Sequence, residues 1–489
     1  MKSSTSKIFT LFRQSFVYSA GSFLNKFLLF FMVPLYAEFI LPEDLSLLEI
    51  LDPAEQFIYG LLNFGLVHAF YRFYNRQQSE EQRREVISTV FWFLALVATV
   101  TVAVLYSFSE ELTDFLLPAH ALAKICFSLT LVSLFIRYFH LVASGYFNAT
   151  EQATRFSLWT IMGTVVYCGY NIYFLAFQDA RIDAVFEARI FSLIPVNIAG
   201  IWAFRSSLSF SFNPKLLKQM MKFSYPFILS AAAYPILTYA DRWMLSEMVS
   251  PEATGIYGMS YRFGMIPGML LVQPFLRAWR PFIYNYDDEE TRRVVYQRIL
   301  IYYTLIGCIL WLGLSVFSEE LVVLFTSEPY YDGHIIIPYI ASSQLMYGLG
   351  WIVVAGLAVK DKTFFIGFCT FLGGILNIVL NYLWIPGFGI LGTAFATLVA
   401  FLFIFAGYSG YSYYKLRLKW PFGRLVVLTL TSVGSYYLLS FIPTEDFWMG
   451  VLYKSLALLV PIGLLFLQAG LNPLKLSAIT ELFTGGNNH

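Results

Sequence analysis

Apolar runs long enough to cross about 30 Å of hydrocarbon as helix follow one another along almost the whole chain. They lie near residues 16–40, 54–74, 87–108, 121–146, 157–177, 184–204, 222–246, 253–276, 296–317, 335–358, 363–385, 389–413, 424–442 and 449–470. The pattern predicts an all-α polytopic membrane protein with about fourteen transmembrane helices. No soluble domain fits, because the longest hydrophilic loop, roughly 277–295, is under twenty residues.

The loops sort by charge. Lys and Arg gather before the first span and at Arg72, Arg76, Arg83 and Arg84, then at Arg205, Lys215, Lys218 and Lys222, at Arg277, Arg280, Arg292, Arg293 and Arg298, at Lys360 and Lys362, and at Lys415, Arg417, Lys419 and Arg424. The loops between carry acids, among them Glu43, Asp44, Glu49 and Asp52, then Glu110, Glu111 and Asp114, Glu247 and Glu252, Glu319 and Glu320, and Glu445 and Asp446. Cytoplasmic loops collect basic residues, so this alternation places both termini in the cytoplasm. The weakest loop holds Arg155 alone.

The chain also repeats itself at an offset of 209 residues. Pro42-Glu43 recurs as Pro251-Glu252, Glu80-Glu81-Gln82-Arg83-Arg84 as Glu289-Glu290-Thr291-Arg292-Arg293, and Phe108-Ser109-Glu110-Glu111-Leu112 word for word as Phe317-Ser318-Glu319-Glu320-Leu321. Six spans per repeat is an even number, so the halves keep one orientation, about an axis along the membrane normal. The predicted organisation is an N-lobe over 1–205 (helices 1–6), a C-lobe over 206–415 (helices 7–12) around a central cavity, and an extra helix pair over 416–489 (helices 13–14).

Composition excludes other classes. The 489 residues are 58% hydrophobic, 19% aromatic and 13% charged, where soluble domains carry about a quarter charged residues. The net charge of +1 and the dispersed cations argue against nucleic acid. Cys126, Cys168, Cys308 and Cys369 fall in apolar runs without metal or redox spacing, so no metal site is expected. The N-terminal apolar run, after Lys2, Lys7 and Arg13, is too long for a signal-peptide core and reads as a retained first helix. No nucleotide-binding, zinc-protease or nucleophile-elbow motif occurs. Neither an enzyme nor a nucleotide-driven pump fits.

Charges at mid-bilayer cost about 2.5–3.5 kcal/mol each on insertion scales, so they mark partners, water or function. Lys26 shares a helix face with Ser15, Ser19 and Ser22. Similar stripes run through Arg137, His140, Ser144 and Asn148, through Thr160, Thr164, Tyr167 and Asn171, through Ser230, Tyr234, Thr238 and Asp241, and through Thr370, Gly374, Asn377 and Asn381. Together they predict a wet cavity between the halves. Its charges are mainly cationic: Lys26, Arg137, Arg189, Arg242 and Arg262, with Arg72 at the mouth and few acids at comparable depth, Asp241 the clearest. Guanidinium groups grip phosphate in two-pronged fashion and an ammonium is a compact counter-charge, so a diphosphate fits.

The candidate diphosphate-binding cations are therefore Lys26, Arg72, Arg137, Arg262 and Arg242. Asn25, Asn63, Asn148, Asn171, Tyr234, Asn377 and Asn381 are the candidate sugar-facing polar residues, and Asp241 and His140 the candidates for ion or proton coupling. Competing structural readings stand beside these. Arg242 near the outer interface can snorkel, Arg189 can pair with Glu187 or Asp183, Arg72 can serve the positive-inside bias, and His140 can be a hydrogen-bonding filler. Pro34, Pro226, Pro235, Pro267 and Pro274 mark hinge points, and Gly389, Gly392 and Ala396 a close helix contact. The sequon Asn148-Ala149-Thr150 falls on the inferred cytoplasmic side.

Several stretches resemble a known family. Tyr225-Pro226 through Ala240-Asp241-Arg242, Ser250-Pro251-Glu252 and Gly255-Ile256-Tyr257 are similar to the seventh-helix segment of bacterial Wzx-type oligosaccharide flippases, members of the multidrug/oligosaccharidyl-lipid/polysaccharide exporter superfamily. Asn377 with Ile385-Pro386, Gly389-Ile390-Leu391-Gly392 and Ala394-Phe395-Ala396-Thr397 resembles that family's eleventh-to-twelfth helix signature; Pro34-Leu35-Tyr36, Leu41-Pro42-Glu43 and Tyr71-Arg72-Phe73-Tyr74 resemble its opening helices. Leu45-Ser46 depart from the glycine often found after the Pro-Glu pair.

The resemblance implies a flippase of the bacterial cytoplasmic membrane that carries undecaprenyl-diphosphate-linked sugar repeat units outward by alternating access, for surface polysaccharide. Its implied partners are the lipid-linked oligosaccharide, membrane lipids and a polysaccharide polymerase, with the flippase itself a monomer. No cofactor is implied beyond a coupling ion, Na+ or H+, or the membrane potential. Lipid II flippases look similar but bear arginine-rich first helices where this chain has Asn25-Lys26. Drug exporters of the superfamily favour acidic cavities.

Overall fold

Long apolar segments in a bilayer must satisfy every backbone group internally, and helices do so within one segment. A computed structural model describes residues 20–118, 120–150, 152–178, 181–282, 289–359, 363–416, 420–442 and 447–470, and every regular element among them is helical. Ten described segments are long and apolar enough to cross a membrane. Lys2, Lys7, Arg13, Ser15, Ser19, Lys360, Lys362, Arg417, Lys419, Glu445 and Asp446 lie outside the described residues.

The chain folds as two compact units, Met1–Gly258 and Met259–His489. The first contains α1 (Ala20–Phe39), α2 (Pro42–Leu62), α3 (Leu66–Arg76), α4 (Glu80–Ser107), α5 (Ser109–Leu116), α6 (Ala123–Ala149), α7 (Ala153–Phe177), α8 (Asp183–Phe204), α9 (Pro214–Met248) and the opening turns of α10 (Pro251–Gly264). Its core brings Val86, Val90 and Leu94 of α4 against Tyr138, Leu141 and Val142 of α6. The second unit continues through a π-turn at Gly268–Val272 into α11 (Gln273–Phe282), then α12 (Glu289–Val316), α13 (Ser318–Phe325), a 3-10 stretch Glu328–Ile336, α14 (Ile337–Val359), α15 (Thr363–Leu416), α16 (Phe422–Leu439) and α17 (Phe447–Gln468).

The duplication seen in the letters reappears in the elements. Helices α4 and α12 both have 28 residues, α5 and α13 both have 8, and each pair starts 209 residues apart; α2 and α10 open on the repeated prolines Pro42 and Pro251. The matched words lie at helix starts for a physical reason. Ser79 caps α4 by accepting from the Gln82 N–H at 3.2 Å, and Glu80 and Glu81 complement the positive helix end.

The second span differs from the expected 54–74. It is a broken helix: α2 begins at Pro42, whose fixed φ suits a first helical position, and ends at an interruption where Phe64 and Gly65 take φ of 53° and 64°. The Asn63 side chain closes the break by accepting from the Gly65 N–H at 2.8 Å, and the Ser224 hydroxyl donates to the Phe64 carbonyl at 2.6 Å. Residues 42–53, expected in a loop, are therefore helical.

Helix α15 carries the opposite lesson. As one straight rod its 54 residues would run about 80 Å at 1.5 Å per residue, yet Asn377 donates to the Thr397 hydroxyl 20 residues on, at 3.4 Å. The chain reverses at Gly389, with φ 51° and ψ −129°, which restores the two expected spans 363–385 and 389–413. That backbone region is open almost solely to glycine. Apart from its own local backbone and adjacent residues, no atom lies within 4 Å of where a β-carbon would sit, so Gly389→Ala isolates backbone strain: it should cost about 1–3 kcal/mol, seen as a lower thermal midpoint in detergent.

The pair α16–α17, outside the repeat, packs within the second unit on α12. Leu428, Leu465, Leu439 and Leu458 meet Ile301, Leu305, Leu312 and Val316. Lys454 of α17 forms a buried ion pair at 2.5 Å with Glu320 of α13.

Candidate functional site: an acid ladder on the Pro42 helix

Three carboxylates, Glu49, Asp52 and Glu55, stand three residues apart on α2. A step of three residues falls about 60° short of a full turn, so the acids fan across an arc and meet different neighbours. Glu55, with its side chain 2% exposed, lies 3.1 Å from Arg137 of α6 and 3.0 Å from Arg189 of α8, and accepts from the Ser133 hydroxyl at 3.0 Å. Arg189 also holds Asp52 at 2.5 Å. One turn earlier Glu49 receives Arg242 of α9 at 2.9 Å, while the same guanidinium reaches Asp241 at 3.2 Å and the Tyr257 hydroxyl donates to Asp241 at 2.9 Å. Aromatic rings complete the cage: Arg137 lies over Tyr59, and Arg242 over Tyr239 and Tyr257.

Glycines allow this closeness. A β-carbon at Gly255 would overlap the Pro42 carbonyl, and one at Gly258 the Glu49 carboxylate. The repeat adds meaning, because the positions 209 residues after Glu49, Asp52 and Glu55 are Gly258, Tyr261 and Gly264. The ladder belongs to the first copy alone.

The expectation of few acids at depth is thereby corrected. Glu49, Asp52, Glu55 and Asp241 face Arg137, Arg189 and Arg242, so the formal sum is 3 − 4 = −1. Arg242, with 3% of its side chain exposed, is buried and ion-paired with Glu49 and Asp241, tying α9 to α2. Arg189 pairs with Asp52 and Glu55, not with Glu187 or Asp183. Arg137 differs in degree: it stays about a third exposed at 34% and uses Nη1 on Glu55, and a guanidinium carries five N–H donors.

The remaining candidates divide. Arg72 is exposed, with its guanidinium over the Phe223 ring at 4.2 Å, and makes no ion pair among the described residues. Lys26 is exposed on α1, and Arg262 of the second unit is partly buried. Several asparagines make hydrogen bonds within the fold. Asn63 caps the α2 break, Asn171 is buried in the α1–α7 seam accepting from Tyr36 at 3.2 Å, and Asn377 and Asn381 bond each other and Thr397 inside the α15 hairpin. Asn148 donates to Tyr71 and to the Ser144 carbonyl, while Asn25 keeps a buried amide oxygen with no hydrogen-bond partner. His140 stacks on Trp159 at 4.2 Å between centroids. Tyr234 lies in α9, but its side chain is outside the described residues, as are those of Ser230 and Thr238.

Hydropathy missed the ladder because five carboxylates, Glu43, Asp44, Glu49, Asp52 and Glu55, together with Pro42 and Pro53 depress the average over 42–55. The available signal was Pro42 followed by Glu43 and Asp44, a helix-start pattern, ahead of acids at regular three-residue spacing.

Comparison with known proteins supplies the family. Residues 11–286, more than half of the chain, match the model of a family described as polysaccharide biosynthesis protein. No curated protein matches the sequence at a significant level. Among solved structures, the lipid II flippase MurJ in an inward closed conformation superposes with a TM-score of 0.74 at 16% identity, covering 92% of this chain and 99% of that one. An inward-facing multidrug resistance MATE transporter of the MOP superfamily gives 0.68 at 13% identity, covering 80% and 94%. At such identities the likeness is one of fold. The matched family model spans the acid ladder and all three of its arginines, and the chain is a member of the polysaccharide biosynthesis protein family.

Proposed function

We propose that the chain is a flippase of the bacterial cytoplasmic membrane, both termini cytoplasmic, which moves undecaprenyl-diphosphate-linked oligosaccharide units to the outer leaflet by alternating access for surface polysaccharide assembly. Family membership supports the pathway, and the fold shared with a lipid II flippase supports the transport class. The observation that carries the anionic substrate is Arg137, held by Glu55 through one nitrogen and still one-third open. Lys26 and Arg72, both exposed in the first unit, join it as phosphate contacts. Arg262 of the second unit is a separate candidate cation. A polymerase would take the delivered units.

In this reading Glu55 orients Arg137 and does not compete it away. A carboxylate already shared with Arg189 and Ser133 can yield Arg137 to phosphate without being left bare. The excess carboxylate in the ladder is suited to a proton or Na+, which ties Asp241 to coupling through its acid neighbours; His140, packed on Trp159, is a filler.

One observation favours a second reading. Four acids against three arginines resemble what a cation-coupled drug exporter requires. Deleting the gene separates the two: loss of surface glycan with unchanged drug sensitivity supports the flippase, whereas unchanged glycan with drug hypersensitivity rejects it.

A further inference from the structure

The two copies of the repeat treat one helix face differently. In the second unit, Leu305, Cys308, Leu312 and Val316 form a stripe along α12 that is covered by α16 and α17. Just beyond it Glu320 is buried against Lys454. The positions 209 residues earlier are Leu96, Thr99, Ala103 and Ser107 of α4, then Glu111 of α5, and all five are exposed. The contrast is large: Leu305 is 2% exposed and Leu96 60%. Residues before this stripe are covered by the unit itself, since Trp92 stacks on Phe210 at 5.2 Å and donates to the Ser209 carbonyl.

Side chains differ too, being more polar or smaller in the open stripe. Cysteine, leucine and valine in the covered stripe are replaced by threonine, alanine and serine in the open one, at spacings of four. Small residues four apart let helix backbones approach closely within a membrane. Such a stripe alone would say nothing about an occupant; the covered copy does. There the occupant is a helix pair with one lysine, placed to neutralise the glutamate at the end of the stripe. The adjoining Glu110 pairs with Lys124 at 2.5 Å, whereas Glu111 has no ion pair or hydrogen bond among the described residues. A lone carboxylate at the foot of a helix-packing face is complementary to a cation.

We propose that the face of α4 from Leu96 to Ser107, together with Glu111, docks a transmembrane helix of another membrane protein that presents a lysine or arginine to Glu111. Lys454 cannot serve from a second copy, because Glu320 already holds it. The assignment is independent of the transported substrate.

The test is photocrosslinking of the full-length chain in the membranes of its own cells, with benzoylphenylalanine at Leu96 or Ala103 and, as lipid-facing controls, at Leu158 or Ile198. The expected result is one adduct from Leu96 and Ala103, absent from the controls. Mass spectrometry should map it to a transmembrane helix bearing Lys or Arg. Glu111→Lys should reduce it by about tenfold or more, the effect of placing like charges together, and reversing the partner's cation to Glu should restore it. Glu111→Gln, with membrane level and gel-filtration profile unchanged, guards against misfolding and should weaken the adduct less. Absence of a protein adduct, adducts at the control positions too, persistence in Glu111→Lys, or an adduct with a second copy or with this chain's own termini would each overturn the proposal.

Discussion

Arg242→Met should destabilise the first unit by about 3–5 kcal/mol, the loss typical when one partner of a buried ion pair is removed. The size follows from what remains. Glu49 and Asp241 are left as two carboxylates with side chains 10% and 2% exposed, facing each other across the space the guanidinium filled. Methionine keeps most of the packing volume but offers no donor. Detergent-solubilised variant should therefore show a much lower thermal midpoint in tryptophan fluorescence, with protein lost from the membrane fraction at growth temperature. Adding Glu49→Gln and Asp241→Asn removes both uncompensated carboxylate charges and should recover most of the loss, because neutralising a whole buried network is far milder than breaking it. A small effect of Arg242→Met alone would show that water reaches the pair and that it does not anchor α9 to α2.

The second large effect concerns transport, with little change in stability expected. Replacing Lys26 and Arg137 by glutamine should abolish surface polysaccharide while the protein stays in the membrane at its normal level. Glu55 retains Arg189 at 3.0 Å and the Ser133 hydroxyl at 3.0 Å when Arg137 is lost, so the ladder survives. Each charge-assisted contact to phosphate is worth about 1.5–3 kcal/mol, or about tenfold to a hundredfold in occupancy, and two such losses leave almost no bound head group. Wild-type levels of glycan in the double variant would remove both residues from the substrate path. Arg189→Gln is the contrasting variant: it strips Asp52 and Glu55 together and should lower both stability and transport.

Much of the fold was legible because the bilayer constrains sequence harshly. Uninterrupted apolar runs, basic and acidic loops in turn, and repeated words at helix starts each reflect a separate physical demand, and they agreed. The α15 hairpin was visible as two apolar runs, 363–385 and 389–413, whereas Gly389, expected in a close helix contact, instead supplies the reversal between them through backbone angles that favour glycine. The failure fell where a helix is charged. The stretch from Glu43 to Pro53 reads as a loop by hydropathy, yet it is helical, and partners elsewhere in the chain, Arg189 and Arg242, neutralise its acids.

The same limit governed the polar candidates. A sequence marks a polar atom at depth without saying what satisfies it, and the neighbours of Asn63, Asn171 and Asn377 turn out to be Gly65, Tyr36 and Thr397. The arginines were found, but two of their partners, Glu49 and Asp52, were hidden in a segment assigned to the outside. What changed was the meaning of the cations, from an unbalanced cluster to an ion-paired ladder with Arg137 at its open edge.

The most direct measurement is reconstitution of the purified chain in liposomes with a fluorescent undecaprenyl-diphosphate oligosaccharide, following loss of inner-leaflet label to an external quencher. The account predicts translocation well above that of protein-free vesicles, falling to their level in the chain carrying Lys26→Gln and Arg137→Gln. Equal rates with and without the native chain, or an undiminished rate in the doubly neutralised one, would contradict it.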